Sequence, residues 1–144
     1  MYKRILVPTD GSDITAKAVQ SAVELARAIG ATVHTISVRE PFPYSAVSEM
    51  QPTPPQEFFE AQERIANRNV HAVEEACMAV GVACQTQTME ALHPWEAIIE
   101  HAQQQGCDLI VMASHGRRGV SALLLGSETQ KVLTHTTVPV LVVR

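Results

Sequence analysis

The sequence predicts an α/β protein with one domain over residues 1–144, built on an open five-stranded parallel sheet with helices on both faces. Short apolar runs alternate with longer segments whose apolar residues recur every three or four positions, the pattern of strands alternating with helices. The runs at residues 4–8 and 107–112 are almost continuously apolar, as strands buried on both faces of a parallel sheet are. A chain of 144 residues, 46% of them hydrophobic, suits a single core that needs no disulfide or metal.

The elements are expected in the order βαβαβαβαβ, with right-handed crossovers. Glycine commonly ends a helix, and Gly30, Gly81 and Gly106 follow three predicted helices, while Pro94 suits the start of the third helix. Five of the eight prolines fall within residues 41–55, so that segment is predicted to be a loop. Strands are expected at residues 4–8, 32–38, 83–89, 107–112 and 138–143, and helices at residues 12–29, 55–80, 94 to Gly106, and 128–134.

The second helix is expected to bury one apolar face. Helical spacing places its apolar residues roughly on one side, and the aromatic pair at its start is interpreted as part of the core rather than as a cofactor site. This predicted face consists of Phe58, Phe59, Ile65, Val73, Ala76, Cys77 and Val80.

Composition excludes several classes of protein. The net charge is −4, with 11 basic and 15 acidic residues, and the basic residues are scattered, which opposes a nucleic-acid surface. No apolar run is long enough to cross a bilayer, and the N-terminus begins with a strand-like run and not a signal peptide. Cys77, Cys84 and Cys107 are an odd number without a close pair, which indicates a reducing compartment and small buried apolar residues. We therefore expect a soluble cytoplasmic protein.

The loop from residue 113 to 127 is the strongest functional feature. It links a strand to a helix and carries three glycines, three serines, one histidine and two arginines. If the first strand is central, this loop and the one at residues 8–12 flank the crevice where strand order reverses, which is where open parallel sheets bind ligands. Gly116 and Gly126 would let backbone approach an anion closely or adopt a positive φ. Ser127 with Gln130 predicts a capping box at a helix N-terminus, which favours phosphate.

The same residues also have purely structural interpretations. The glycines could be turn formers, Ser127 a helix cap only, and Asp10 or Ser12 a cap for the first helix. The patterns G-x-x-x-x-G-K-[ST] and G-x-G-x-x-G are both absent, which excludes two common phosphate-binding loops. Five histidines lack metal-ligand spacing and are interpreted as surface or packing residues: His34, His71, His93, His101 and His135.

The stretches at residues 7–12, 113–116, 126–127 and 138–143 together resemble the universal stress protein family. The resemblance covers the whole chain and includes the nine-residue interval between Gly116 and Gly126. It implies the strand order 3-2-1-4-5 of a Rossmann-like fold of the adenine nucleotide alpha hydrolase-like type.

ATP-binding members of that family carry G-x-x-G-x9-G-[ST], which this chain matches at Gly116, Gly126 and Ser127, with Ala113 in place of the first glycine. The resemblance implies ATP as ligand, with Mg²⁺ or Mn²⁺ held through the phosphate oxygens. It implies that Asp10 bonds the nucleoside and that Ala113 lies against the ribose. It implies an adenine side made by Pro8, Thr9, Val38 and Met112, and phosphate contacts from His115, Gly116, Gly126, Ser127 and Thr129. Arg117 and Arg118 could reach a triphosphate or could be solvated loop charges.

The resemblance also implies a homodimer. In the implied order the last strand is at an edge, and an apolar edge of this kind needs a cover. Pairing with a second subunit would use Val138, Val140, Leu141, Val142 and Val143. The expected function is that of an ATP-dependent stress sensor or regulator, not an efficient catalyst. The alternatives are a slow ATPase using His115 or a water, and a dimeric interaction module that has lost nucleotide binding.

Overall fold

The computed structural model describes residues 1–41, 56–116 and 125–144. One sheet holds five parallel strands in the order β3-β2-β1-β4-β5, which confirms the predicted fold class and strand order. The strands are β1 (Arg4–Pro8), β2 (Thr32–Arg39), β3 (Cys84–Glu90), β4 (Leu109–Ala113) and β5 (Val140–Val143). The helices in the described ranges are α1 (Asp13–Ile29), α2 (Gln56–Met78), α3 (Pro94–Gln104) and α4 (Ser127–His135).

The sheet separates two apolar clusters, because successive residues of a strand point to opposite faces. Ile5 and Val7 of β1 pack with α1 and the C-terminal half of α2, whereas Leu6 packs with α3 and α4. β4 divides in the same way, with Val111 in the first cluster and Met112 in the second. Helices therefore cover both faces, as predicted.

Several predicted boundaries are displaced. β4 begins two residues after Cys107, and β5 begins at Val140, because residues 138–139 form the approach to the strand rather than part of it. The Pro139 carbonyl accepts the Ile110 N–H just before that pairing starts. The predicted start of α2 at residue 55 and the proline-rich loop up to that residue fall mostly outside the described ranges.

The predicted core face of α2 is wrong at both of its ends. Phe59 is 37% exposed, and the rings of Phe58 and Phe59 contact each other edge to face in the first turn, with their centroids 5.8 Å apart. Val80 lies beyond the helix and is also exposed. The face that α2 buries consists of Ala66, Asn69, Val70, Val73 and Cys77.

Candidate functional site

The predicted crevice lies at the carboxyl edge of the two central strands. β1 and β4 are neighbours, so the chain that follows each strand emerges at the same edge of the sheet. There the Asp10 carboxylate lies against Gly116, where a Cβ added to the glycine would be 2.8 Å from Asp10 Oδ2. The structure therefore brings together the two loops that the sequence placed on either side of the crevice.

The two oxygens of the Asp10 carboxylate face different groups. Oδ1 accepts hydrogen bonds from the Ser12 N–H at 2.9 Å and from the Thr15 hydroxyl at 3.0 Å. Oδ2 is the oxygen that approaches Gly116. Ser12 is the N-cap of α1, and its hydroxyl accepts the Thr15 N–H at 3.4 Å. Asp10 thus supports the start of α1, and that role fixes the direction in which its second oxygen points.

The turn beneath Asp10 requires glycine for two reasons. Gly11 has a φ of +78°, a backbone conformation that side chains disfavour. A Cβ at this position would also lie 2.4 Å from Oδ1 of Asn69, a buried side chain of α2. Asn69 donates through Nδ2 to the Ser37 hydroxyl of β2 at 3.4 Å. α2 therefore contributes a polar support to the turn.

Asn69 is a site residue that sequence reasoning missed. It lies three residues after Ala66 and four before Val73, all of them on the buried face of α2. A polar residue at a buried helical position usually has a specific partner, because an unpaired polar group inside a protein is costly. That helical spacing was the available signal, but it does not identify the partner.

The apolar residues expected on the adenine side lie near the end of the sheet. Val38 and Met112 belong to the cluster that packs against α3, and Pro8 is the last residue of β1. Thr9 is buried, with its N–H bonded to the Ile36 carbonyl at 2.9 Å and its hydroxyl accepting the Gly11 N–H.

The ends of the long loop meet each other. The Gly126 N–H donates to the Ser114 carbonyl at 2.7 Å. A Cβ on Gly126 would lie 3.0 Å from the Cα of His115, so the close approach of the two backbones requires glycine. Neither Gly116 nor Gly126 has a positive φ, so close approach, and not unusual backbone conformation, explains both glycines. Arg117, Arg118 and Gly119 lie outside the described ranges.

The predicted capping box at α4 is wrong. Gly126 is the N-cap and Ser127 is the first helical residue, so the register is one residue earlier than expected. Gln130 instead donates through Nε2 to the Leu125 carbonyl at 2.9 Å. Within the described ranges no side chain caps this N-terminus, which therefore offers backbone N–H groups and the positive end of the helix dipole toward the crevice.

Two residues fix α4 against β4. Thr129 is 2% exposed, and its hydroxyl donates to the Ala113 carbonyl at 2.8 Å. Ala113 is the last residue of β4, is buried, and does not have a positive φ. An alanine therefore fits the strand backbone at the position where the family pattern has glycine.

His115 lines a cavity beside the first turns of α1. Its Nδ1 is 3.1 Å from the Ser114 hydroxyl, within hydrogen-bonding distance. The cavity has a volume of about 300 Å³ and opens on the α1 side of the loop. It is lined by Asp13, Ile14, Lys17, Ser114, His115 and Arg144.

Two other histidines are buried, as the packing interpretation expected. His34 and His101 contact each other with ring centroids 6.3 Å apart. Burial lowers the pKa of both, and the charge of Arg4 lowers the pKa of His34 further. Among the described residues, no three histidine, cysteine or acidic side chains are grouped so that they could hold a metal ion.

An open parallel sheet of order 3-2-1-4-5, with helices on both faces and glycines at the carboxyl ends of its central strands, defines a class of α/β proteins whose ligands bind where the strand order reverses. The chain belongs to the universal stress protein family, which it matches over residues 1–144.

Individual universal stress proteins are similar to this chain over all or nearly all of its length. A universal stress protein of Thermus aquaticus is 35% identical over 144 residues and covers all of both chains. The Bacillus subtilis universal stress protein YxiE is 33% identical over 148 residues, again with full coverage of both. Among solved structures, MJ0577 of Methanocaldococcus jannaschii has a TM-score of 0.83 at 28% identity, covering 99% of this chain and 96% of its own.

Other solved universal stress proteins have been captured with cAMP and with dAMP. They are 22% and 20% identical to this chain, with TM-scores of 0.72 and 0.68, and so bear on the fold. No helix in the described part of the chain is long and apolar enough to cross a membrane.

Proposed function

We propose that this chain binds ATP in the crevice between the ends of β1 and β4, and acts as a nucleotide-dependent sensor or regulator in the stress response. The observation that carries the proposal is that two glycines of the long loop lie in close contact with Asp10 and with His115. Gly116 and Gly126 have ordinary φ values, yet a Cβ on Gly116 would lie 2.8 Å from Asp10 Oδ2 and a Cβ on Gly126 3.0 Å from the His115 Cα, both closer than ordinary van der Waals contact. The crevice also lies at a topological switch point, the usual ligand position in this architecture.

The nucleoside would occupy the end of the crevice nearest Asp10. A carboxylate held by the first turn of α1 is a suitable acceptor for ribose hydroxyl groups. Pro8, Val38 and Met112 supply apolar surface for the adenine, with Ala113 near the sugar. The solved relatives with cAMP and dAMP support an adenine nucleotide as the ligand class.

The phosphates would lie at the N-terminus of α4. Backbone N–H groups at the start of a helix bind phosphate well, and Ser127, His115 and Gly116 lie at this end of the crevice. Thr129 would contribute through its backbone N–H, because its hydroxyl already bonds the Ala113 carbonyl. Mg²⁺ or Mn²⁺ would be held chiefly by the phosphate oxygens.

Catalysis is not part of the proposed function. A general base would have to reach the water that attacks the γ-phosphate, whereas the Asp10 carboxylate would lie at the nucleoside end of the crevice and accept the ribose hydroxyl groups. His115 is the nearest titratable alternative on the described part of the loop and contacts Ser114. We expect little or no turnover, as suits a protein whose bound nucleotide is a signal.

The proposal includes a homodimer formed through β5. This strand is at the edge of the sheet, and Leu141 is 43% exposed while Val140, Val142 and Val143 are half-buried. Val138 packs at the approach to the strand. A two-fold related copy of β5 would cover these residues and extend the sheet.

The first test is to purify the protein from cells, denature it, and identify any nucleotide released. ATP is then titrated by calorimetry with and without Mg²⁺, and ADP is followed over hours. We expect one ATP site per chain and no repeated turnover. Absence of binding at millimolar ATP would support an interaction module, and repeated turnover would support an ATPase.

Asp10→Ala removes the carboxylate and should abolish binding, but it also removes two hydrogen bonds at the start of α1. Ser12→Ala is the matched control, since it disturbs the same N-cap and leaves the carboxylate in place. We expect Ser12→Ala to lower stability by about 1 kcal/mol and to bind ATP with nearly unchanged affinity. Equal losses of ATP binding in the two variants would contradict a direct role for Asp10.

A further inference from the structure

The N-terminus of α3 is capped by a side chain of another helix. His93, its N-cap residue, makes no side-chain bond to the first turn, and Pro94 has no N–H to satisfy. The two backbone N–H groups that follow Trp95 both donate to the His93 carbonyl. The remaining first-turn N–H is that of Trp95, which donates to the Glu128 carboxylate of α4 at 2.8 Å. A residue of α4 therefore supplies the cap that the N-cap residue of α3 does not.

The same tryptophan contacts the other end of α4. The ring of Trp95 lies against the ring of His135, with the centroids 4.5 Å apart and the ring planes inclined by 31°. His135 is in the last turn of α4, where its Nδ1 donates to the Lys131 carbonyl at 2.8 Å. Between these two contacts, the fully buried Val132 packs α4 into the same apolar cluster as Trp95. α4 is thus attached to α3 near both of its ends, which limits its sliding and its rotation.

Glu128 lies beside the N–H groups that are proposed to bind phosphate. It is the second residue of α4, directly after Ser127. The Gln130 N–H donates to the Gly126 carbonyl, so the N–H groups of residues 127–129 come before the first intrahelical bond. A negative charge at this end of the helix would by itself repel a triphosphate. The Glu128 carboxylate is instead bonded to the N-terminus of α3, where a negative charge is favourable.

We propose that Glu128 is a positioning residue of the nucleotide site, which caps α3 and thereby holds the N-terminus of α4 where it receives the phosphates. The inference rests on the proposed function, because it concerns the phosphate end of that site. Glu128 acts through the position of the helix and not through contact with the ligand. What matters is therefore the reach of its side chain to the Trp95 N–H, and its charge supplies no attraction for the phosphates.

Two conservative substitutions separate the reach of this side chain from its charge. Glu128→Gln keeps the length and an oxygen that can accept the Trp95 N–H, but it removes the charge. Glu128→Asp keeps the charge and suits a helix N-terminus, but it is one methylene too short for the 2.8 Å bond. Glu96→Ala is the matched control, because it removes an exposed carboxylate from the first turn of α3 and leaves Glu128 in place.

The test titrates ATP and adenosine separately into the unaltered chain and each variant by calorimetry, with circular dichroism as the check on folding. We expect Glu128→Asp to lose about fivefold in ATP affinity, the contribution of one hydrogen bond. Its adenosine affinity should be unchanged, because the nucleoside end of the crevice is not altered. Glu128→Gln should bind ATP at least as tightly as the unaltered chain, and Glu96→Ala should bind both ligands as the unaltered chain does.

Unchanged ATP affinity in a folded Glu128→Asp, or equal losses for ATP and adenosine, would overturn the proposal. If Glu128→Asp folds poorly, Glu128→Gln still decides the question, because a loss of ATP affinity in a variant that keeps the cap would assign the residue a role through its charge. All of these results leave ATP binding by the unaltered chain intact. An unaltered chain that binds no ATP would instead contradict the proposed function itself.

Discussion

The glycines at the two edges of the sheet are required for different reasons. At the amino edge, Gly30 and Gly81 end helices with φ values of +73°, and a Cβ on either would meet no atom within 4 Å. At the carboxyl edge, Gly116 and Gly126 have ordinary φ values, and a Cβ on either would lie within 3.0 Å of Asp10 or His115. The first pair serves the fold by reversing the chain. The second pair allows close contacts between the chain segments that line the crevice.

This difference separates stability from binding. A substitution at the amino edge strains a turn and leaves the crevice intact. A substitution at the carboxyl edge leaves the backbone conformation allowed but displaces the groups proposed to hold the nucleotide.

Among the glycine substitutions, Gly126→Val should have the largest effect on binding. Its Cβ would lie 3.0 Å from the His115 Cα and 3.3 Å from the Ser114 carbonyl, both in the backbone, so the loop must open. We expect ATP affinity to fall at least about a hundredfold, or about 2.8 kcal/mol, as measured by calorimetry. Light scattering on the same sample should still show a dimer, and loss of the dimer as well would indicate that the fold had failed.

Leu141→Glu tests the proposed dimer interface formed by β5. A buried, unpaired charge in an interface is costly, so the dimer should dissociate to monomers or aggregate. Leu133→Glu is the matched control, since Leu133 is an exposed leucine of α4, 41% accessible, outside β5. Unchanged dimers in Leu141→Glu by light scattering would rule out β5 as the interface.

Acid should destabilise the fold through His34 and His101. Their pKa values are lowered by burial, so the unfolded chain, with histidines near pKa 6.5, binds more protons than the folded chain below that pH. The free energy of unfolding is therefore expected to keep its full value above about pH 6.5 and to fall as the pH drops below that value. Urea unfolding at several pH values measures this slope. His101→Gln should flatten the slope.

Gly30→Ala should have the smallest effect on function. A methyl group meets no neighbour, but the positive φ disfavours a side chain, so stability should fall by about 1 kcal/mol. Thermal unfolding measures this cost. ATP affinity should be unchanged, and a large loss of affinity would show that the amino edge influences the crevice.

The sequence predicts much of this architecture because its signals are local. Alternation of strands and helices, the glycines at helix ends, and the spacing from Gly116 to Gly126-Ser127 can each be recognised without distant contacts. The positions of these elements then follow from the handedness and burial rules of parallel sheets.

The parts that sequence reasoning missed depend on distant contacts. Asn69 matters because α2 lies beside the Gly11 turn, and no local pattern specifies that neighbour. The N-cap of α4 lies one residue earlier than predicted because the Gly126 N–H donates to the carbonyl of Ser114, the residue that follows β4.

The most direct measurement of the central claim is a paired ATP titration of Gly116→Ala and Gly30→Ala beside the unaltered chain. Each variant adds one methyl group to a glycine, at opposite edges of the sheet. The Cβ of Gly116→Ala would lie 2.8 Å from Asp10 Oδ2, so we predict at least about a tenfold loss of affinity, or about 1.4 kcal/mol, with little loss of stability. Gly30→Ala should show the reverse. Full ATP affinity in Gly116→Ala would contradict a nucleotide site between Asp10 and Gly116.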